Sequence, residues 1–257
     1  MNRIVCIFIL SMIGCSSREN SHLESRKVPN AVIKDTADTY VDFNSFNTRI
    51  RDGLISKDSA LIMIKVLLPQ LKNCFRRKGG QKFDRGNWVF PLQGYNYKAI
   101  GGINGNGYSA AGYDYFSGNK HGGHPAYDIF IRDSNHNCMD IATKKRVNVL
   151  SASGGIVVSV ENSWDSNSTL RGGKYIWIYD PYSSSMLYYA HNSDIFVRSG
   201  DIVIPGTKIA TVGRSGFSAF KKRSPTHLHF MVMNIDSQFY PRPVKFYKEL
   251  MEMRSLK

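Results

Sequence analysis

The sequence predicts a mainly β domain with an antiparallel sheet, preceded by a short helical segment. Runs at 155–160, 175–179, 186–190 and 227–233 are rich in Val, Ile, Tyr and Phe, and Gly, Asn, Ser and Pro separate them. No helical pattern of about 10–15 residues alternates with these runs, which excludes a doubly wound parallel sheet. The strongest helical periodicity lies upstream of the β-rich part, and no internal repeat is present.

Taken in order, Met1-Asn2-Arg3 is a short positive start and residues 4–13 form an apolar stretch of signal-peptide length. Gly14-Cys15-Ser16-Ser17 then supplies a small residue, a cysteine and polar chain. This start resembles a bacterial lipoprotein signal, with Met12 where that pattern prefers Leu. The resemblance implies removal of 1–14, lipid on Cys15, and anchoring to a membrane of the bacterial envelope, facing the periplasm or wall. Residues 15–53 are polar with little periodicity and are expected to form the lipidated tether. A helical segment is expected over 54–85. Leu61, Ile64, Leu68, Leu71 and Phe75 recur at helical spacing, Ser56 or Asp58 can cap the start, and Gly79-Gly80 stops the helix. Pro69 is expected to kink or split it. The β domain is expected over 86–240, followed by a tail at 241–257 with a helix around 244–253. The glycine-rich run 101–107 lacks the Gly-Lys-Ser/Thr ending of a phosphate loop and is expected to be a flexible surface loop.

The chain has 257 residues, 42% of them hydrophobic, enough for a real core. No apolar run approaches the roughly 20 residues of a membrane-spanning helix. Lys and Arg number 34 against 20 Asp and Glu, a formal net charge of +14, which points to a polyanionic partner. Loss of 1–14 would remove a single positive charge, Arg3, so the excess persists. Export makes nucleic acid an unlikely partner and favours peptidoglycan and other anionic envelope polymers. Of the 4 cysteines, Cys6 would be discarded and Cys15 acylated, leaving Cys74 and Cys138. An oxidising envelope permits a disulfide between these two, and the sequence leaves that pairing open. It leaves the oligomeric state open as well.

Seven histidines occur, and five of them fall in ligand-like clusters. His121-Gly-Gly-His124-Pro-Ala-Tyr-Asp128 places a histidine on a loop just before a strand that carries the aspartate. His191 ends an apolar strand, and His227-Leu228-His229-Phe230 lies within another. Residues i and i+2 of a strand share a face, so His227 and His229 project together while Leu228 and Phe230 face the core. Two imidazoles on one face suit a metal ligand beside an acid–base group, and a catalytic zinc takes three protein ligands of this type plus water.

These clusters sit in an ordered frame. Trp88-Val89-Phe90-Pro91, His124 to Asp128, Gly154-Gly155-Ile156, Gly172-Gly173-Lys174, Tyr189-Ala190-His191, Gly206-Thr207-Lys208, Gly213-Arg214-Ser215-Gly216 and His227-Leu228-His229 follow one another. As a set they resemble the lysostaphin-type (LytM-like) zinc metallopeptidases, which are peptidoglycan endopeptidases, over roughly 88–233. The resemblance implies a β-sheet groove of the duplicated-hybrid-motif kind and one Zn2+ per chain, held by His124, Asp128 and His229. It makes His191 and His227 the two non-ligand catalytic histidines. His227 is then expected to take a proton from water and His191 to hydrogen-bond the oxyanion, an assignment the sequence allows to be exchanged. Ala126 stands where the family usually has Gly. The stretch 132–146 is expected to be an insertion, His121 and His136 match no family role, and Lys221-Lys222-Arg223 is a candidate rim for substrate carboxylates. The implied function is zinc-dependent cleavage of peptide cross-links in peptidoglycan. The competing class is a non-catalytic wall-binding scaffold or an activator of a separate hydrolase, which would be expected to lose ligand positions that are filled here.

Overall fold

A computed structural model describes residues 39–221 and 224–257. The expected signal peptide at 1–14, Cys15 and the tether up to residue 38 lie outside the described residues, as do Lys222 and Arg223.

The described chain opens with helix α1 (Thr39–Arg51) and helix α2 (Lys57–Arg77). The tether expected as far as residue 53 therefore gives way to helix from residue 39. Phe43, Phe46 and Ile50 fall three and four residues apart and are all buried. Burial of each such side chain contributes about 2–3 kcal/mol, which holds an otherwise polar segment in place. Its polar residues are drawn to the sheet too. Asn47 Nδ2 donates to Ser159 Oγ at 3.0 Å, and the Val160 amide donates to Asn44 Oδ1 at 3.1 Å.

Helix α2 buries Ala60, Ile64, Leu67, Leu68, Leu71, Cys74 and Phe75 along one stripe. The Ser56 hydroxyl caps its start, accepting from the Ser59 amide. Gly79 ends it with φ +77°, a left-handed conformation that costs glycine little. The expected break at Pro69 does not occur: the helix runs through it. Pro69 lies on the exposed face, so the carbonyl it leaves unpaired one turn back is on the side open to water.

Ten strands follow: β1 (Tyr127–Phe130), β2 (Asn148–Leu150), β3 (Gly155–Glu161), β4 (Tyr175–Asp180), β5 (Ser185–Ala190), β6 (Asn192–Ile195), β7 (Ile202–Val203), β8 (Lys208–Val212), β9 (His227–Ile235) and β10 (Pro241–Pro243). The larger sheet has the order β1-β9-β5-β4-β3-β7, with β10 beside β9, and every pair in it is antiparallel. A smaller sheet has the order β2-β8-β6. The expected mainly β, antiparallel class is thus the observed one.

Strand alternation divides the larger sheet into two buried faces. Val157, Ile178, Leu187, Tyr189, Leu228 and Phe230 enter a core shared with Trp88, Phe90, Val149 and Phe246. Ile156, Val158, Trp177, Met186, Met231 and Met233 enter a second core with Phe43, Phe46, Leu68 and Phe75 of the helices.

Residues beyond 240 are not an appended tail. Strand β10 pairs with β9, and helix α3 (Tyr247–Glu252) buries Leu250, with Phe246 just before it also in the core. The Phe90 amide donates to the Arg254 carbonyl at 3.0 Å, and Gly94 donates to Leu256 at 2.8 Å. Nor is the 101–107 run a loose loop, because it holds a short 3-10 turn, Ile103–Gly105, whose start is tied by the Ile103 amide donating to Asn106 Oδ1. Cys74 is buried in the helical core while Cys138 sits on the 132–146 loop, and no disulfide joins them.

Candidate active site

Strands β1 and β9 set the centre of the site. Their antiparallel register puts Asp128 directly opposite His229. His229 Nδ1 lies 3.0 Å from Asp128 Oδ1. His124 arrives from the loop before β1, which is clamped by a two-way backbone pairing between Ser109 and His124 at 2.7 and 2.8 Å. His124 Nε2 is 3.3 Å from the same Asp128 oxygen. The side chain of His124 is oriented by the glycine-rich run: its Nδ1 meets the Gly107 carbonyl at 3.0 Å, which leaves Nε2 bare toward Asp128.

One ligand atom from each of His124, Asp128 and His229 lies within 4.8 Å of the others. Tetrahedral zinc with bonds of about 2.0–2.2 Å sets its donors roughly 3.3–3.6 Å apart. The His124–Asp128 separation of 3.3 Å falls at the edge of that range and the His229–Asp128 separation of 3.0 Å a few tenths of an ångström inside it, so a small outward shift seats the ion, and two imidazoles with a carboxylate are a donor set that zinc takes. Burial alone would raise the Asp128 carboxyl, but hydrogen bonds from His124 and His229 outweigh it and hold the group far below the usual range. The hydrogen bond to Asp128 raises His124, whereas burial lowers His229 despite the same partner.

Two further imidazoles stand beside this cluster. The His191 ring lies 4.9 Å from that of His227 and 5.4 Å from that of His229. His191 is the single residue between β5 and β6, with φ +65°, and its amide donates to the Gly172 carbonyl at 3.0 Å. Its Nδ1 lies 2.8 Å from the Ser215 carbonyl, and His227 Nδ1 lies 2.7 Å from the Pro225 carbonyl. A carbonyl can only accept, so each Nδ1 carries hydrogen, and Nε2 is the ring atom left to exchange a proton. Burial, reinforced by the nearby His227 and His229, keeps His191 well below the ordinary imidazole range and hence neutral. His227 Nε2 lies 3.7 Å from Asp128 Oδ1.

Gly216 makes room for this arrangement. Its φ is +110°, and a Cβ there would meet the Arg171 carbonyl at 2.4 Å and His191 Nδ1 at 2.9 Å.

These side chains line one end of a cavity of about 340 Å³ on the sheet face that the helices cover further along. Asn47, Ile50 and Arg51 of α1 form part of its wall, as do Tyr188 and Met231. His121, expected to match no role, also lines it, with its ring 4.6 Å from that of Tyr113. His136 is exposed on the 132–146 loop and does not line the cavity. Of the basic triplet at 221–223 only Lys221 is described. Its ammonium sits 4.5 Å from the Phe217 ring, and the neighbouring Ser218, Ala219 and Ser224 border the cavity. The sequence singled out all five site side chains but not the carbonyls of Gly107, Ser215 and Pro225 that aim three of them. A backbone acceptor has no residue signature.

Fold and site together define a β-sheet protein with a His–Asp–His donor cluster at the floor of a groove. The sequence model of peptidase family M23 matches residues 134–241, less than half of the chain. Peptidases of this family are zinc-dependent. The matched stretch contains His191, His227 and His229 and begins after His124 and Asp128, which the β1–β9 pairing joins to it. No curated protein matches the chain. Among solved structures it is similar to the catalytic domain of the antimicrobial peptidase lysostaphin from Staphylococcus simulans, with 27% identity over 48% of this chain and 77% of that one and a TM-score of 0.33. It is also similar to a candidate glycyl-glycine endopeptidase LytM from Ruminococcus gnavus, with 18% identity, 83% and 89% coverage and a TM-score of 0.46. A zinc-containing peptidase from Vibrio cholerae shares 22% identity over 64% of this chain, which spans only 39% of that protein, with a TM-score of 0.37.

Proposed function

We propose that the protein is a zinc-dependent endopeptidase that cuts peptide cross-links of peptidoglycan in wall remodelling or lysis. The observation that carries the proposal is the convergence of two donor sets on one cavity: His124, Asp128 and His229 as ligands, and His191 with His227 as proton-handling groups beside them. Zinc held by the first set supplies Lewis acidity, lowering the pKa of water and polarising the scissile carbonyl.

The remaining work belongs to the two free imidazoles. His191 is neutral, with its lone pair at Nε2, so it accepts the proton of the attacking water. Once doubly protonated, it delivers that proton to the leaving amine nitrogen. His227 then stands beside the developing oxyanion; with its Nδ1–H held by the Pro225 carbonyl, it donates there through Nε2 in its doubly protonated form, the second proton coming from solvent. His227, its Nδ1 likewise held by a carbonyl, presents Nε2 in the same way, so the two roles stay exchangeable, as the sequence allowed. The excess positive charge of the chain supports an acidic wall polymer as substrate.

Digestion of purified peptidoglycan, with mass analysis of the released fragments, tests the proposal. Cross-linked fragments should fall to uncross-linked ones, and a chelator should stop the conversion. Wall binding without any change in fragment mass, by protein that holds zinc or holds none, would instead favour a scaffold or activator.

A further inference from the structure

The cavity contains two arginines in contrasting states. Arg51 is satisfied by carboxylates: its Nε lies 2.7 Å from Asp52, its Nη1 lies 2.5 Å from Glu161, and Nη1 also donates to the Tyr175 hydroxyl. Arg171 has no such partner among the described residues. Its Nη1 donates to the His121 carbonyl at 2.7 Å, and the rest of the guanidinium, exposed at the cavity edge, has no protein partner among the described residues. The acid side of the cavity offers it nothing. Asp128 is the one carboxylate among the described lining residues, and His124 and His229 engage it.

Arg171 is also held in place relative to the reactive end. Its amide donates to Asn119 Oδ1 at 3.1 Å, and the next residue, Gly172, accepts the His191 amide. Its own carbonyl packs against Gly216, the glycine that also abuts the His191 ring. The same short loop therefore fixes both the proton-accepting imidazole and a cation with donors to spare.

We propose that Arg171 is a specificity-determining residue that binds a free carboxylate of the substrate peptide, so that the groove selects carboxylate-bearing stem peptides over their carboxamide forms. A planar fork with unused N–H groups matches a carboxylate and cannot be matched by a neutral amide at equal strength. This rests on the peptidase reading above and deepens it.

The test compares a cross-linked muropeptide carrying its free carboxylates with the same compound carboxamidated. For the zinc-loaded wild-type protein, kcat/KM should favour the carboxylate form by about 10- to 100-fold, the range for one charge-assisted pair. In Arg171→Gln that ratio should fall close to one, mainly through KM of the carboxylate form. Arg171→Lys should restore part of it, a pattern that mere damage to the fold does not produce. Equal kcat/KM for the two compounds in wild type, or a wild-type ratio in Arg171→Gln, would overturn the proposal. Equilibrium binding of both compounds to the zinc-free protein separates the two claims. If wild type cleaves neither compound, the peptidase reading fails, and a carboxylate preference in binding, lost in Arg171→Gln, still upholds the role of Arg171. Equal binding there would end it.

Discussion

His227 and His229 sit two residues apart on β9, and the proposed roles of proton-handling group and metal ligand can be separated by mutation. His229→Ala or Asp128→Ala should lose zinc and cleavage together, because two remaining protein ligands hold the ion poorly. His191→Ala or His227→Ala should keep about one zinc per chain while cleavage falls roughly 10²- to 10⁴-fold. Metal analysis by mass spectrometry alongside fragment analysis checks both arms, and metal loss in His191→Ala would refute the division of roles. Gly216→Ala probes the support rather than the groups. Its methyl would strike the Arg171 carbonyl and His191 Nδ1, and the backbone there is left-handed. Zinc content should stay at the wild-type level while kcat falls by roughly tenfold or more, since small misplacements of a reacting group are costly.

At the scale of elements, legibility followed periodicity. The His227–His229 pair could be assigned to one face because a strand repeats every two residues, and β9 places it so. Helix α2 was readable from its apolar spacing and its Ser56 cap. Helix α1 was not, because among its described side chains Phe43, Phe46 and Ile50 are the apolar ones and Asn, Ser, Thr and Arg separate them. Pro69 misled because its cost depends on which side of the helix faces water, which the residue itself does not reveal. Pro69→Ala should raise stability by about 1–3 kcal/mol by restoring the amide donor, measured as a shift in the denaturation midpoint. The 132–146 loop owes its order to two buried carboxylates. Asp133 accepts from the Asn137 and Cys138 amides and Thr226, and Asp140 from the Ala142 and Thr143 amides, Arg132 and Tyr95. Burial alone would raise both groups, but these bonds hold them below the usual carboxylate range. A depressed folded-state value stabilises above the unfolded value near 4 and is lost as pH falls below it. The melting temperature should therefore drop as the pH is taken below about 4. Asp140→Asn should melt about 2–8 °C lower at neutral pH and show a shallower acid decline.

For the molecule as a whole, the proposed place in the envelope rests on its first residues. Lipid labelling in a bacterial host should mark the wild-type chain and not Cys15→Ala. Equal labelling of both would remove the anchor while leaving export intact. The sheet itself has a consequence for how far this protein can be taken apart. Asn47, Ile50 and Arg51 belong to a helix that sequence periodicity assigns to a spacer, yet they stand in the wall of the same cavity as His191 and His229. A fragment cut at residue 86 would keep every reacting group and lose that side of the enclosure. The unit that can be transplanted or fused with its cavity intact is therefore larger than the unit that carries the five site side chains, and its upstream limit lies ahead of Phe43.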